Sequence, residues 1–191
     1  MKSTYDLFMS LFENGRLGNV RKKLISKVSG HILEVGSGTG VNLKLYDHQV
    51  SGQLTDIEIN KILEARAQGS QFQCQKASVM NLPYKNQSFD MVVSTLVFCS
   101  VEDVDIGLHE IHRTLKDDGF LIFIEHVEPQ TKYNKWLFNT ITPLWKKMAS
   151  GCHLNRDYLA SLEKNNFEVI EVNQFYKGIF VAGMAKKRAS V

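Results

Sequence analysis

The chain has 191 residues, room for one domain with a sizeable core. Apolar residues make up 43% and charged residues 23%, an ordinary globular balance, and the net charge of +3 is too mild to favour nucleic acid or an anionic membrane as a partner. The three cysteines, Cys74, Cys99 and Cys152, form no C-x-x-C pair, so neither a zinc site nor a disulfide framework is indicated.

Unpaired thiols and an N-terminus without the apolar core of a signal peptide make the cytoplasm the expected compartment. No apolar run approaches the ~20 residues of a membrane span, so no integral membrane segment is expected. The basic clusters Arg21-Lys22-Lys23 and Lys186-Lys187-Arg188 read as a solvated helix face and a tail.

Residues 4–14, with Tyr5, Leu7, Phe8, Met9, Leu11 and Phe12, read as a short helix that Gly15 and Gly18 break. A second helix, about Gly18 to Val28, carries Val20, Leu24, Ile25 and Val28 at helical spacing. The stretch His31-Ile-Leu-Glu-Val-Gly-Ser-Gly-Thr-Gly40 follows, a buried strand and a tight glycine loop opening a helix of about Thr39 to Tyr46. Its spacing is G-x-G-x-G. A dinucleotide fingerprint needs its third glycine where Val41 stands, which disfavours a nicotinamide oxidoreductase. Glu34, two residues before Gly36, would repel a pyrophosphate and suits a ligand that carries an ammonium group.

The second strand, Gly52 to Asp56, ends in an acid 20 residues beyond Gly36, where a Rossmann-like sheet brings a carboxylate to ribose hydroxyls. Glu58 is a weaker candidate for that role. A helix (Asn60 to Gln68), a strand (Gln71 to Lys76) and a strand (Ser88 to Leu96) come next. The helix Glu102 to Lys116 is expected to stop at Asp117-Asp118-Gly119. Strand five, Phe120 to Ile124, is apolar enough to be buried on both faces, with Glu125 and His126 at its ligand-binding end. Lys132 to Ser150 is aromatic and helical around Pro143, Asn155 is placed to cap a helix from Arg156 to Asn165, and Phe167 to Val172 pairs with Phe180 to Met184 as a closing hairpin.

The glycine stretch resembles motif I of the class I S-adenosylmethionine-dependent methyltransferases. Leu82-Pro83 followed by Ser88-Phe-Asp90, and Glu110-Ile-His-Arg-Thr-Leu-Lys116, resemble further segments of their small-molecule members. Leu33 to Gly40 with Asn42, Thr95-Leu-Val-Phe-Cys-Ser-Val101, Glu125-His-Val127 and Gly151-Cys152 are most similar to the thiol S-methyltransferases of animals and their bacterial relatives. Two departures stand out: Ser78 replaces the acid that usually bonds the adenine amino group, and Asp117-Asp118 replaces a Pro-Gly. Animal members also begin with a hydrophobic anchor, and no such segment is read here.

The resemblance implies an α/β Rossmann-like sheet of seven mostly parallel strands, an antiparallel C-terminal hairpin and helices on both faces. It implies a single methyltransferase domain over residues 1–191, with a helical cap (1–28), a cofactor-binding core (29–127) and substrate-side helices and closing strands (128–191). S-adenosylmethionine is the implied cofactor, held by Glu34, Gly36, Ser37, Gly38, Gly40, Asn42, Asp56, Ile57, Ser78, Val79, Met80, Thr95 and Leu96, with no metal. A valine at Gly36 is then expected to block the cofactor and spare the fold.

The implied reaction methylates a small molecule, a thiol on the closest resemblance. Orienting the reactants supplies up to ~7–11 kcal/mol of barrier lowering. A thiol near pKa ~8.5 is a few per cent thiolate at neutral pH, so no strong base is required. His126, Cys99 and His153 are the candidates at the acceptor end; His126 reads equally as a histidine satisfying strand-end groups, and Cys99 as a pocket wall. A quinol, lipid amine or other metabolite as acceptor, and a non-catalytic cofactor-binding module, stay open as alternatives. Oligomeric state is not legible.

Overall fold

The computed structural model describes residues 13, 15–67, 71–129, 131–148 and 151–188. Apart from Glu13, the helix expected over residues 4–14 lies largely outside them. In chain order the elements are α1 (Arg16–Ile25), β1 (His31–Val35), a 3-10 turn (Leu43–Leu45), β2 (Ser51–Asp56), α2 (Ile59–Ala67) and β3 (Phe72–Lys76). They continue with β4 (Phe89–Thr95), α3 (Val104–Thr114), β5 (Leu115–His126), α4 (Lys132–Met148), α5 (Tyr158–Lys164), β6 (Phe167–Phe175) and β7 (Phe180–Lys187).

The seven strands form one sheet in the order β3-β2-β1-β4-β5-β7-β6. The first five in that order run parallel, while β7 is antiparallel to both β5 and β6. This is the Rossmann-like sheet with a closing hairpin that the sequence implies. Its central strands are apolar on both faces because both faces are covered. Alternation sends Ile32, Val93, Ile122 and Ile124 to one side, against Leu17, Leu24 and Ile25 of α1. Leu33, Val92, Leu121 and Phe123 go to the other, against Leu108 and Ile111 of α3 and Tyr158 and Leu162 of α5. Each such buried side chain contributes about 1.5–3 kcal/mol. No helix among the described residues is long and apolar enough to cross a membrane.

Several boundaries differ from expectation. α3 stops at Thr114, whose hydroxyl bonds back to the carbonyls of Glu110 and Ile111, and Leu115 is already extended and paired with Phe89. Gly119 therefore lies inside β5. A Cβ there would sit 2.9 Å from the Lys116 carbonyl oxygen and 3.1 Å from that of Asp90, where the β4–β5 register shifts, so this glycine serves a strand irregularity and not a helix stop. Gly18 sits inside α1, where a Cβ would collide with the Glu13 carbonyl. The helix expected after the glycine loop is only the turn Leu43–Leu45. Asp157, not Asn155, caps α5, accepting from the Ala160 amide at 3.1 Å.

The hairpin depends on one close backbone approach. A Cβ on Gly183, midway along β7, would lie 2.0 Å from the Glu171 carbonyl oxygen and 3.0 Å from the Phe123 ring. Gly183→Ala is expected to destabilise the protein by about 2 kcal/mol or more in urea titrations; an unshifted midpoint would mean that the β6 edge yields freely.

Candidate active site

Three glycines shape the turn that leaves β1: Gly36, Gly38 and Gly40 all have positive φ (+58°, +56° and +86°). The turn is tied down from β2. The Ser37 amide donates to the Thr55 carbonyl and the Gly38 amide to Asp56 Oδ2, each at 2.9 Å, and Asp56 Oδ1 accepts from the Glu58 amide. The glycines differ in what surrounds them. A Cβ on Gly36 would meet the Val97 side chain at 2.4 Å, whereas a Cβ on Gly38 meets nothing within 4 Å. Gly36 is thus a packing position, and a valine there strains the fold itself, contrary to the expectation that it would spare it. Gly38 borders open space. Beside it, the Ser37 hydroxyl is buried without a hydrogen-bond partner.

Glu34 is engaged within the protein. It is buried with both oxygens engaged, Oε1 by the Asn42 side-chain amide at 2.9 Å and Oε2 by the Tyr46 hydroxyl at 2.7 Å. Asn42 also donates to Thr95 Oγ1 (3.2 Å) and accepts from Arg21 Nη1 (2.8 Å), and Arg21 pairs with Glu13. Burial pushes the Glu34 carboxyl up to about 7, against the pull of Tyr46, Asn42 and Arg21. The residue expected to meet an ammonium group is instead a brace joining α1, the glycine loop and β4.

Ala77 follows β3 and its amide bonds to the Asp56 carbonyl, which carries the next turn to the same sheet edge. There the Ser78 hydroxyl accepts from the Met80 amide at 3.2 Å, the Val79 side chain is core and Met80 is half-buried. Ile57, beyond Asp56, is exposed. At the end of β4, Leu96 takes φ +60° with its amide on the Ile124 carbonyl at 2.7 Å, which turns Val97 onto Gly36.

Past Val97 the same segment borders a cavity of about 290 Å³, lined by Phe98, Cys99, Glu125, His126, Arg156 and Tyr158 among others. Glu125 Oε1 accepts from Ser94 Oγ (3.0 Å) and the Val97 amide (3.1 Å), whereas Oε2 has no hydrogen bond. Burial pushes this carboxyl up to about 7. The Tyr158 hydroxyl and His126 Nδ1 are likewise buried and unpartnered, and burial brings His126 down to about 4. The His126 ring lies over Phe138 and edge-on to Phe180. Arg156 donates to the Phe98 carbonyl. His153 is not part of this lining: its amide (2.7 Å) and ring Nδ1 (3.2 Å) both meet the Cys99 carbonyl, so it braces the wall from outside.

Residues 33–123 match the family described as Methyltransferase domain. Thiol S-methyltransferase TMT1B of Rattus norvegicus is 34% identical over 149 residues, which span 74% of this chain and 61% of the relative. The Mus musculus TMT1B is 30% identical over 190 residues, 90% of this chain and 78% of the relative. A solved structure described as a SAM-dependent methyltransferase and possible histamine N-methyltransferase, from Thermotoga maritima, superposes with a TM-score of 0.71 at 20% identity over 96% of this chain and 98% of its own. The chain belongs to the class I S-adenosylmethionine-dependent methyltransferases.

The cofactor of this methyltransferase is S-adenosylmethionine, and the residues present fit it. An open cradle at Gly38, an orphaned Ser37 hydroxyl and a carboxylate at the end of β2 lie together on the ligand-binding side of the sheet. Arg21 and Tyr46 escaped the sequence reading. Arg21, whose charged neighbours read as a solvated cluster, is buried while Lys22 and Lys23 are exposed. The spacing of Leu17, Arg21, Leu24 and Ile25 was the available signal, since it puts all four on one helix face.

Gly38→Ala is expected to weaken S-adenosylhomocysteine binding about tenfold or more, at a left-handed backbone cost of only about 1–2 kcal/mol. Unchanged affinity by calorimetry would move the cofactor elsewhere. A second test follows from Glu125. Between pH 4.5, the ordinary carboxyl value, and about 7, the folded state keeps a proton that the unfolded chain has lost. Wild-type stability relative to Glu125→Gln should therefore fall as pH rises through that window, by up to about 3 kcal/mol, and level off above it. Urea titrations of both proteins across this range check the sign.

Proposed function

We propose that this methyltransferase transfers the methyl group to the sulfur of a small-molecule thiol held in the cavity beside Phe98, Cys99, Glu125 and His126. The observation that carries the reading is the set of three buried polar atoms without partners around that one space, Glu125 Oε2, His126 Nδ1 and the Tyr158 hydroxyl. Buried polar groups are rarely left unpaired unless a ligand or water completes them. The similarity to thiol S-methyltransferases at 30–34% identity supports the choice of sulfur.

S-adenosylmethionine supplies an electrophilic methyl group on its sulfonium. In this reading the chain orients it with the backbone of Gly36 to Gly40, while Asp56 serves the ribose hydroxyls from the end of β2. The Ser78 hydroxyl is engaged by Met80, so recognition of the adenine amino group rests on the backbone around Val79 and Met80. Glu34, Asn42 and Thr95 hold the loop in place from behind.

The electrostatics favour an acceptor that needs little help. His126, at about 4, is neutral at pH 7 and too weak a base to strip a proton from an alcohol or ammonium. In the tautomer that carries its proton on the unpartnered Nδ1, the neutral ring can still donate a hydrogen bond to the thiolate and aim the sulfur. Arg156, on the cavity wall, favours the thiolate fraction already present in solution. The proton is then lost to solvent before transfer, and orientation is the main contribution of the protein. Three free thiols support a reducing, cytoplasmic setting.

Release of S-adenosylhomocysteine, followed across a panel of alkyl and aryl thiols, quinols and amines, tests the reading. Turnover is expected with thiols, and His126→Ala should lower kcat/KM for them by about tenfold or more. Turnover confined to quinols or amines would overturn the acceptor assignment while leaving the cofactor site intact.

A further inference from the structure

Cys99 follows β4, and Cys152 lies far along the chain in the turn after α4. The fold brings them together. The His153 amide and ring both meet the Cys99 carbonyl, pinning the two segments side by side. The two side chains share a small apolar cluster with Leu154, flanked by Phe138 and Trp145. Within it each thiol shifts the titration of the other, and the Cys99 thiol donates to the Leu96 carbonyl at 3.8 Å. Both cysteines are reduced, and Cys99 also forms part of the cavity wall.

The sulfurs are not equivalent. The neighbouring Cys152 thiol, together with burial, holds the Cys99 thiol well above its ordinary range. The neighbouring Cys99 thiol, the Trp145 indole and the Arg156 charge draw the Cys152 thiol down. Cys152 is thus the better nucleophile and Cys99 the adjacent partner, the arrangement of a redox-active dithiol. Cys74, on β3 and more exposed, has its thiol pushed up and serves as an internal control.

We infer that Cys99 and Cys152 are a redox-modification site, which a small hydroperoxide converts to a disulfide that weakens cofactor binding. The Cys152 thiolate attacks the distal oxygen of the hydroperoxide. An S–O bond forms, the O–O bond breaks, and the departing oxygen leaves as alcohol or water after taking up a proton. The Cys99 sulfur then attacks the sulfenic sulfur; the S–S bond forms, the S–O bond breaks, and hydroxide leaves with the Cys99 proton as water. Two thiols give up two electrons, and one hydroperoxide accepts them.

The consequence reaches the cofactor through a short path. An S–S bond is about 2.05 Å long, far shorter than any non-bonded contact between two sulfurs, so oxidation draws Cys99 toward the 151–154 turn. Three residues back is Leu96, at φ +60°, and next to it Val97, whose side chain packs on Gly36 and whose amide bonds to Glu125. That segment has no slack. Pulling on Cys99 therefore displaces the wall on which the glycine loop rests.

The test treats the protein with hydrogen peroxide, alkylates the remaining thiols, maps the peptides and measures S-adenosylhomocysteine affinity. A Cys99–Cys152 cross-linked peptide is expected, with Cys74 still alkylated, and the Kd should rise about tenfold or more and recover with dithiothreitol. Cys152→Ser should keep its untreated affinity and show no rise after peroxide; in Cys99→Ser, dimedone should capture a sulfenic acid on Cys152. Oxidation of Cys74 ahead of the pair, or full disulfide formation with unchanged affinity, would overturn the inference. The map and the affinity of the wild-type protein decide this without any variant. Neither needs a methyl acceptor, so the outcome is separable from the thiol-acceptor reading.

Discussion

Parallel strands leave their last amides pointing out of the sheet, and loops that build a site there must find acceptors for them. In this protein buried or nearly buried carboxylates serve that end. Asp56, at the end of β2, accepts from Gly38 in the glycine loop and from Glu58 beyond its own strand. Glu125, near the end of β5, accepts from the Val97 amide in the turn that leaves β4. Glu34, on β1, works through side chains and gathers Asn42 and Tyr46. The cofactor loop and the cavity wall are held by acids that come from neighbouring strands.

This construction is costly in desolvation, and the two glutamates register it: burial drives both carboxyls to about 7. What it yields is rigidity where the chemistry requires it. Methyl transfer to an activated sulfonium depends on alignment more than on acid–base power, so a loop that cannot drift is worth more than a strong base. The surroundings of His126 agree with that priority. It is packed by Phe138 and Phe180, and burial keeps it neutral at pH 7.

The segment from Leu96 to Cys99 joins the two halves of the site. Its strained first residue turns the chain, its second packs on Gly36, and its third and fourth line the cavity. Glycine loop, cavity and Cys99 thus meet on one short piece of backbone. The N-terminal helix enters the same system from the opposite side, through Arg21 and Asn42. Its role is mechanical as well as covering.

Which features belonged to the sequence follows from how local they are. Apolar runs in β1, β4 and β5, and glycines at G-x-G-x-G spacing, lie within short windows, so the sheet class, the glycine turn after β1 and the cofactor were legible, whereas the helix expected beyond the turn is only Leu43–Leu45. Asp56 was legible for the same reason, as an acid at a fixed distance from the loop. What the sequence could not supply was the partner of each polar side chain. Glu34 looked like an open acid until Asn42, Tyr46 and Arg21 closed around it, and Arg21 looked solvated until α1 turned it inward. His153 and Cys99, 54 residues apart, meet only because the fold brings the segment after β4 against the turn after α4. Strand periodicity is a property of neighbours along the chain. Hydrogen-bond partnership and burial are properties of register and packing, and these were decided only when the tertiary structure brought distant segments into contact.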